Sequence, residues 1–131
     1  MKKLFNTPTT FSQSSNHAIR GIWTILKNER NFRIQIVVAI LVFLISAILE
    51  ISHQDWIAVG FLIALVLISE AFNSVIEAVC DTVSKEYRVN IKYAKDVSAG
   101  AVLVSAILSI ILGLIIFMPY ILPIIKGFLS I

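Results

Sequence analysis

The sequence predicts an all-α membrane protein: three transmembrane helices preceded by an amphipathic helix on the membrane surface. Three observations carry this reading. Hydrophobic residues make up 58% of the 131 positions, and mean hydropathy is +0.91, where a water-soluble domain holds roughly 45–50% apolar residues. The apolar residues are gathered into three long uncharged runs. The charged residues collect at the ends of those runs, where a bilayer tolerates them.

The chain is long enough for one domain, 1–131. Residues 1–15 are rich in Ser, Thr and Asn, include Pro8, and read as a loose polar lead. Across 16–30 the pattern becomes amphipathic. Ile19, Ile22, Trp23 and Leu26 recur at helical spacing, with Arg20, Thr24 and Lys27 towards the other side. A basic polar face bordered by Trp suits a helix lying in the interface plane. No secretory signal is expected, because the first thirty residues hold no apolar stretch of the required kind.

Membrane helices are predicted over 34–51, 56–80 and 97–122. A span takes about 20 helical residues. The first and third runs reach that length. The second, WIAVGFLIALVLIS between Asp55 and Glu70, has only 14 residues. Its last turns must therefore carry Glu70 and Asn73, and at 1.5 Å per residue Glu70 lies roughly 20 Å along the helix from Trp56, still within the bilayer. Lys and Arg sit before the first run and again between 82 and 95, whereas ISHQDW has neither. By the positive-inside rule the N-terminus and the 82–95 segment are cytoplasmic. On the third run, Ala101, Ser105, Ser109 and Gly113 form a stripe of small residues that suits close helix packing, within the bundle or between subunits.

The net charge of +3 does not imply nucleic acid as a partner, because the basic residues flank apolar runs rather than cover one soluble face. Cys80 is the only cysteine, so no internal disulfide exists, and it reads as a small buried residue.

The stretch EAFNSVIEAVCDTVSKEYRVNIKYAKD, residues 70–96, holds five of the eight acidic side chains. At 100° per residue Glu70, Asn73, Glu77 and Asp81 share an arc of about 80°. Acids within a membrane segment cost about 2.5–3.5 kcal/mol each on insertion scales, so they mark a functional site that faces protein. Clustered carboxylates suit Mg²⁺, commonly held by one or two acids together with substrate phosphates. Glu29 offers a further carboxylate from the foot of the first span, and Lys95, beside Asp96, offers a point charge for a phosphate. Such a set fits ATP-dependent phosphoryl transfer, with Glu70 as general base towards a lipid hydroxyl. No GxxxxGK[ST], GxGxxG or HRD segment is present, so the common soluble kinase designs do not apply.

The patterns ExxNSxIExxxD and SKEYxxxxKxAKD resemble the signature of the prokaryotic diacylglycerol kinase family, from about Asn16 to the third span. The resemblance implies a small lipid kinase of the bacterial inner (plasma) membrane, acting on diacylglycerol or undecaprenol with Mg²⁺ and ATP. It implies a homotrimer with active sites between subunits. It makes Glu70 the acid/base that meets the substrate, with Asn73 and Lys95 beside it in the active site. It makes Glu29 and Glu77 the Mg²⁺ ligands. Nucleotide contacts fall on His17, Glu29, Glu77, Glu86, Tyr87, Arg88, Lys95 and Asp96. Two positions depart from the pattern. His17 stands where an aromatic residue is common, and Gln35 where many Gram-negative members carry a second glutamate. NERNFRIQ followed by AKDVSAGAVL is similar to the Gram-positive branch, in which undecaprenol is often preferred.

Readings from other classes are a non-catalytic scaffold or a small transporter subunit that uses its acids as an interhelical clamp. A lipid phosphatase needs a His and Arg constellation, but His17 and His53 are the only histidines, and the charge pattern puts them on opposite faces. A CDP-alcohol transferase needs paired aspartates, and the sequence has none.

Overall fold

The computed structural model describes residues 10–83 and 88–129. Four helices follow in order: α1 (Phe11–Asn28), α2 (Arg30–Ile48), α3 (His53–Val83) and α4 (Val89–Leu129). No strand occurs among the described residues. α2, α3 and α4 are each long and apolar enough to cross a membrane.

α1 begins at Phe11, earlier than the polar composition predicted, because Thr10 caps it. The Thr10 hydroxyl accepts from the Gln13 backbone N–H at 3.4 Å, satisfying one of the helix's unpaired donors. α1 contributes no buried residue, and Trp23 is 69% exposed. Its apolar face is therefore free to meet lipid, as expected of a surface helix.

A single residue separates α1 from α2. Glu29 adopts an extended conformation (φ −96°, ψ 114°) and caps the end of one helix and the start of the next. Arg33 reaches back from α2, and its Nη1 donates to the carbonyls of Leu26 (3.2 Å) and Lys27 (2.7 Å). These are among the last carbonyls of α1, which lack partners within the helix, so the cation fixes the corner between surface helix and span.

α2 ends in a Schellman arrangement. The N–H of Ile51 donates to the Ser46 carbonyl and that of Glu50 to the Ala47 carbonyl, both at 3.3 Å. The residue that turns left-handed is Glu50, at φ 48°, where glycine is the usual occupant. Ser52 then caps α3. Its hydroxyl accepts from the Asp55 N–H at 3.2 Å and donates to Asp55 Oδ2 at 2.7 Å. The Tyr120 hydroxyl on α4 accepts from the Ser52 N–H (2.9 Å) and donates to Asp55 Oδ2 (2.5 Å). This polar clasp ties the far part of α4 to the α2–α3 turn. Phe43 stacks on Trp56 nearby, with ring centroids 5.7 Å apart.

α3 is the central element, with α4 packed most extensively against it and α2 less so. The buried residues of α2, Phe32, Ala39 and Ser46, are spaced by seven, as a helix seam requires. Of the small-residue stripe on α4, Ser105 is buried and Ser109 donates to the Leu62 carbonyl of α3 at 3.3 Å, whereas Ala101 stays exposed. The middle of the stripe, Ser105 and Ser109, thus serves packing within the bundle. α3 and α4 run beyond their predicted limits at both ends, whereas α1 stops at Asn28, before the predicted 30, and α2 at Ile48, before the predicted 51, because Glu29 is extended and Glu50 turns left-handed.

Two polar rungs set the scale of the bundle. One is the Asp55–Tyr120 clasp. The other joins Asn73 to Ser98, whose hydroxyl donates to Asn73 Oδ1 at 2.7 Å. At 1.5 Å per residue the rungs are about 27 Å apart along α3 and about 33 Å along α4, close to the ~30 Å of a hydrocarbon core. The accessible surface is 10541 Å², against roughly 6,900 Å² for a compact soluble monomer of this mass. The spanning helices expose many large aliphatic side chains, which suits lipid and neighbouring chains.

Candidate active site

Glu70 sits on α3 one turn inside the Asn73–Ser98 rung, about 4–5 Å towards the hydrocarbon centre. It is 3% exposed. Gln35 of α2 meets it: Nε2 donates to Glu70 Oε2 at 3.2 Å. The other end of that amide, Gln35 Oε1, is buried with no hydrogen-bond partner. A buried carbonyl without a donor costs about 1–3 kcal/mol, so a ligand hydroxyl reaching it would be favoured.

Gln35 also lines a groove of about 410 Å³. Val38 of α2, Val59 and Val66 of α3, and Ser109 and Phe117 of α4 form much of its wall. The groove is almost wholly apolar; Gln35 and Ser109 are the polar side chains in its wall, and Glu70 stands behind Gln35, bonded to its amide.

One turn towards the rung, the hydrogen bonds run in series. Ser98 donates to Asn73 Oδ1, and Asn73 Nδ2 donates to Glu77 Oε1 at 3.1 Å. Asn73 is 8% exposed and Ser98 7%. The amide is therefore held in one orientation and passes that orientation on to the Glu77 carboxylate. Further out, Lys95 Nζ pairs with Asp81 Oδ1 at 2.5 Å. Asp96 pairs with Lys92 on its own helix. The arc thus grades from buried Glu70 to exposed Asp81.

The sequence-predicted residues are distributed accordingly. Glu70, Asn73 and Glu77 form one stripe, and α4 brings Lys95 to its outer end through Asp81. Asp96, within the same turn as Lys95, is engaged by Lys92. Glu29 is half-buried at the α1–α2 corner, and His17 is exposed on α1. Arg88 is exposed and precedes α4, its carbonyl accepting from the Lys92 N–H at 3.0 Å. Glu86 and Tyr87 lie outside the described residues. Among the described residues no three His, Cys, Asp or Glu side chains converge on a point that could hold a metal ion. Ser98 was not foreseen. Its signal was its place three residues after Lys95, on the same helical face.

A family profile described as prokaryotic diacylglycerol kinase matches residues 16–117. The chain belongs to the prokaryotic diacylglycerol kinase family. Undecaprenol kinase of Bacillus subtilis (strain 168) is 37% identical over 114 residues, covering 87% of this chain and 93% of that protein. Diacylglycerol kinase of Synechocystis sp. (strain ATCC 27184 / PCC 6803 / Kazusa) is 36% identical over 110 residues, covering 81% of this chain and 61% of that protein. Diacylglycerol kinase of Escherichia coli (strain K12) is 30% identical over 103 residues, covering 79% and 84%. With three spanning helices, this member of the diacylglycerol kinase family is a bacterial membrane protein.

Proposed function

We propose that this lipid kinase transfers the γ-phosphoryl group of ATP to the hydroxyl of diacylglycerol or undecaprenol. The observation that carries the reading is a nearly fully buried carboxylate, Glu70, joined through Gln35 to the wall of an apolar groove. A lipid chain in the groove brings its hydroxyl to the Gln35–Glu70 pair. Glu70 takes the hydroxyl proton as the oxygen bonds to the γ-phosphorus. The bond from that phosphorus to the β,γ-bridging oxygen breaks, and ADP leaves.

The two carboxylates Glu29 and Glu77 are hard oxygen donors of the kind that bind Mg²⁺ together with nucleotide phosphates, and they would hold that ion, which supplies charge neutralisation. Asn73 keeps the Glu77 carboxylate aimed. Lys95 exchanges Asp81 for a phosphate oxygen. Asp96 and Arg88, with His17, Glu86 and Tyr87, belong to the nucleotide side of the site. The N-terminus and the α3–α4 connection face the cytoplasm, where ATP is. The large apolar surface supports assembly into a homotrimer in which neighbouring chains share each site.

The test is phosphoryl transfer by purified protein in lipid bilayers, assayed side by side with diacylglycerol and undecaprenol, with and without Mg²⁺. Glu70→Gln and Glu77→Gln should each remove nearly all turnover. Full activity in both variants would refute the site.

A further inference from the structure

α4 is too long for the membrane it crosses. Its 41 residues extend about 60 Å at 1.5 Å per residue, twice the hydrocarbon thickness. Measured from the two rungs, nine residues precede Ser98 and nine follow Tyr120; the first nine carry Lys92, Lys95 and Asp96, whereas the last nine carry one charge, Lys126. Tyr120 is fixed at the level of Asp55 by the clasp, so residues 121–129 continue about 14 Å past that rung. The headgroup layer on one side accounts for only about 5–8 Å of this. Yet the segment is apolar: Ile121, Leu122, Ile124, Ile125, Phe128 and Leu129 are all exposed, Phe128 by 78%. This stretch lies beyond the residues matched to the family, 16–117.

The helical order of these residues decides where the apolar surface goes. At 100° per residue the six apolar side chains fall within an arc of about 160°. Pro119, Pro123, Lys126 and Gly127 fall on the opposite side, within about 100°. Both prolines lie inside the continuous α4, on that one side. Each lacks an N–H and pushes away the carbonyl four residues earlier, Ile115 for Pro119 and Pro119 for Pro123. Opening the helix on the proline side bends it towards the other, which is the apolar arc. A helix leaving the membrane and bending towards its apolar arc lays that arc down onto the membrane. Lys126 then points to water and headgroups.

We infer that residues 121–129 form a lipid-docking foot, seated at the headgroup–acyl boundary of the membrane face opposite the acidic cluster. The seat is continuous with the lipid-facing surface of the span. A depth of about 5–10 Å is usual for amphipathic helices held this way. The inference rests on α4 and its clasp to Asp55 of α3 and does not depend on the catalytic assignment.

Spin labels on single cysteines at Ile125, Gly127 and Phe128, introduced singly into a Cys80→Ala background, test it in lipid vesicles. Collisions with oxygen should exceed those with a water-soluble nickel chelate at 125 and 128, and the order should invert at 127. Adding Pro119→Ala and Pro123→Ala should straighten the helix and turn 128 to the water-exposed pattern. Water exposure at all three positions of the proline-containing protein would overturn the inference. So would shielding of 125 and 128 from both reagents, which would put a second copy of the chain on this face.

Discussion

Replacing Gln35 by Met separates catalysis from stability in a way that tests the site directly. Met keeps the length of the side chain and removes the amide. Two effects on folding follow, and they oppose each other. The Nε2–Glu70 bond, to the carboxylate that the proposed general base requires, is worth about 1.5–3 kcal/mol, and leaving Oε1 without a partner costs about 1–3 kcal/mol. Both vanish in Gln35→Met, so the melting temperature in detergent should move little. Turnover has no such compensation. Glu70 loses the one protein donor described for its carboxylate, and losing about 1.5–3 kcal/mol of positioning corresponds to a fall of roughly 10–150-fold in kcat. The assay is ATP-dependent phosphorylation of lipid by the reconstituted variant, with the KM of each substrate measured and thermal unfolding run in parallel. A kcat within twofold of the parent would refute the positioning role. A parallel loss of stability and activity would show that Gln35 acts on the fold instead.

Ser98→Ala leaves Asn73 Oδ1 buried without its donor, at a cost of about 1–3 kcal/mol. Because Asn73 orients Glu77, the KM for ATP should rise more than the KM for lipid. Glu50→Gly relieves a left-handed residue and adds flexibility to the unfolded chain. The balance is a gain of about 0.5–1 kcal/mol, read as a higher melting temperature with unchanged kcat. Tyr120→Phe removes the clasp hydroxyl and both of its hydrogen bonds and should lower the melting temperature while leaving the lipid and ATP KM values intact, since the clasp lies about 22 Å along α3 from Glu70. Arg33→Met should loosen the α1–α2 corner, read as faster proteolysis after Lys27.

Much of this protein was legible in one dimension. Burial periodicity and charge placement are local properties, and a bilayer enforces them strictly, because every backbone polar group in hydrocarbon must be bonded within its own helix. That constraint fixed the all-α class, the three spans and the surface helix. The shortness of the second uncharged run likewise placed Glu70 inside the membrane before any contact was known. The single-face arrangement of Glu70, Asn73 and Glu77 followed from the 3.6-residue repeat.

The tertiary structure decided who meets whom across helices, which no repeat within one helix encodes. It brought Gln35, 35 residues away in sequence, onto Glu70. It placed Ser98 under Asn73, and it turned Lys95 to Asp81 while Asp96 went to Lys92. Tyr120, Ser52 and Asp55 are separated by a whole span and became one clasp only when α4 packed on α3. Helix starts also escaped composition, since Thr10 and Ser52 act through the geometry of a cap rather than through polarity. The sequence alone determined which groups enter the membrane, because that is a transfer free energy summed along one chain. Only the packing determined which of them are bonded to each other, because that depends on the relative rotation and height of separate helices.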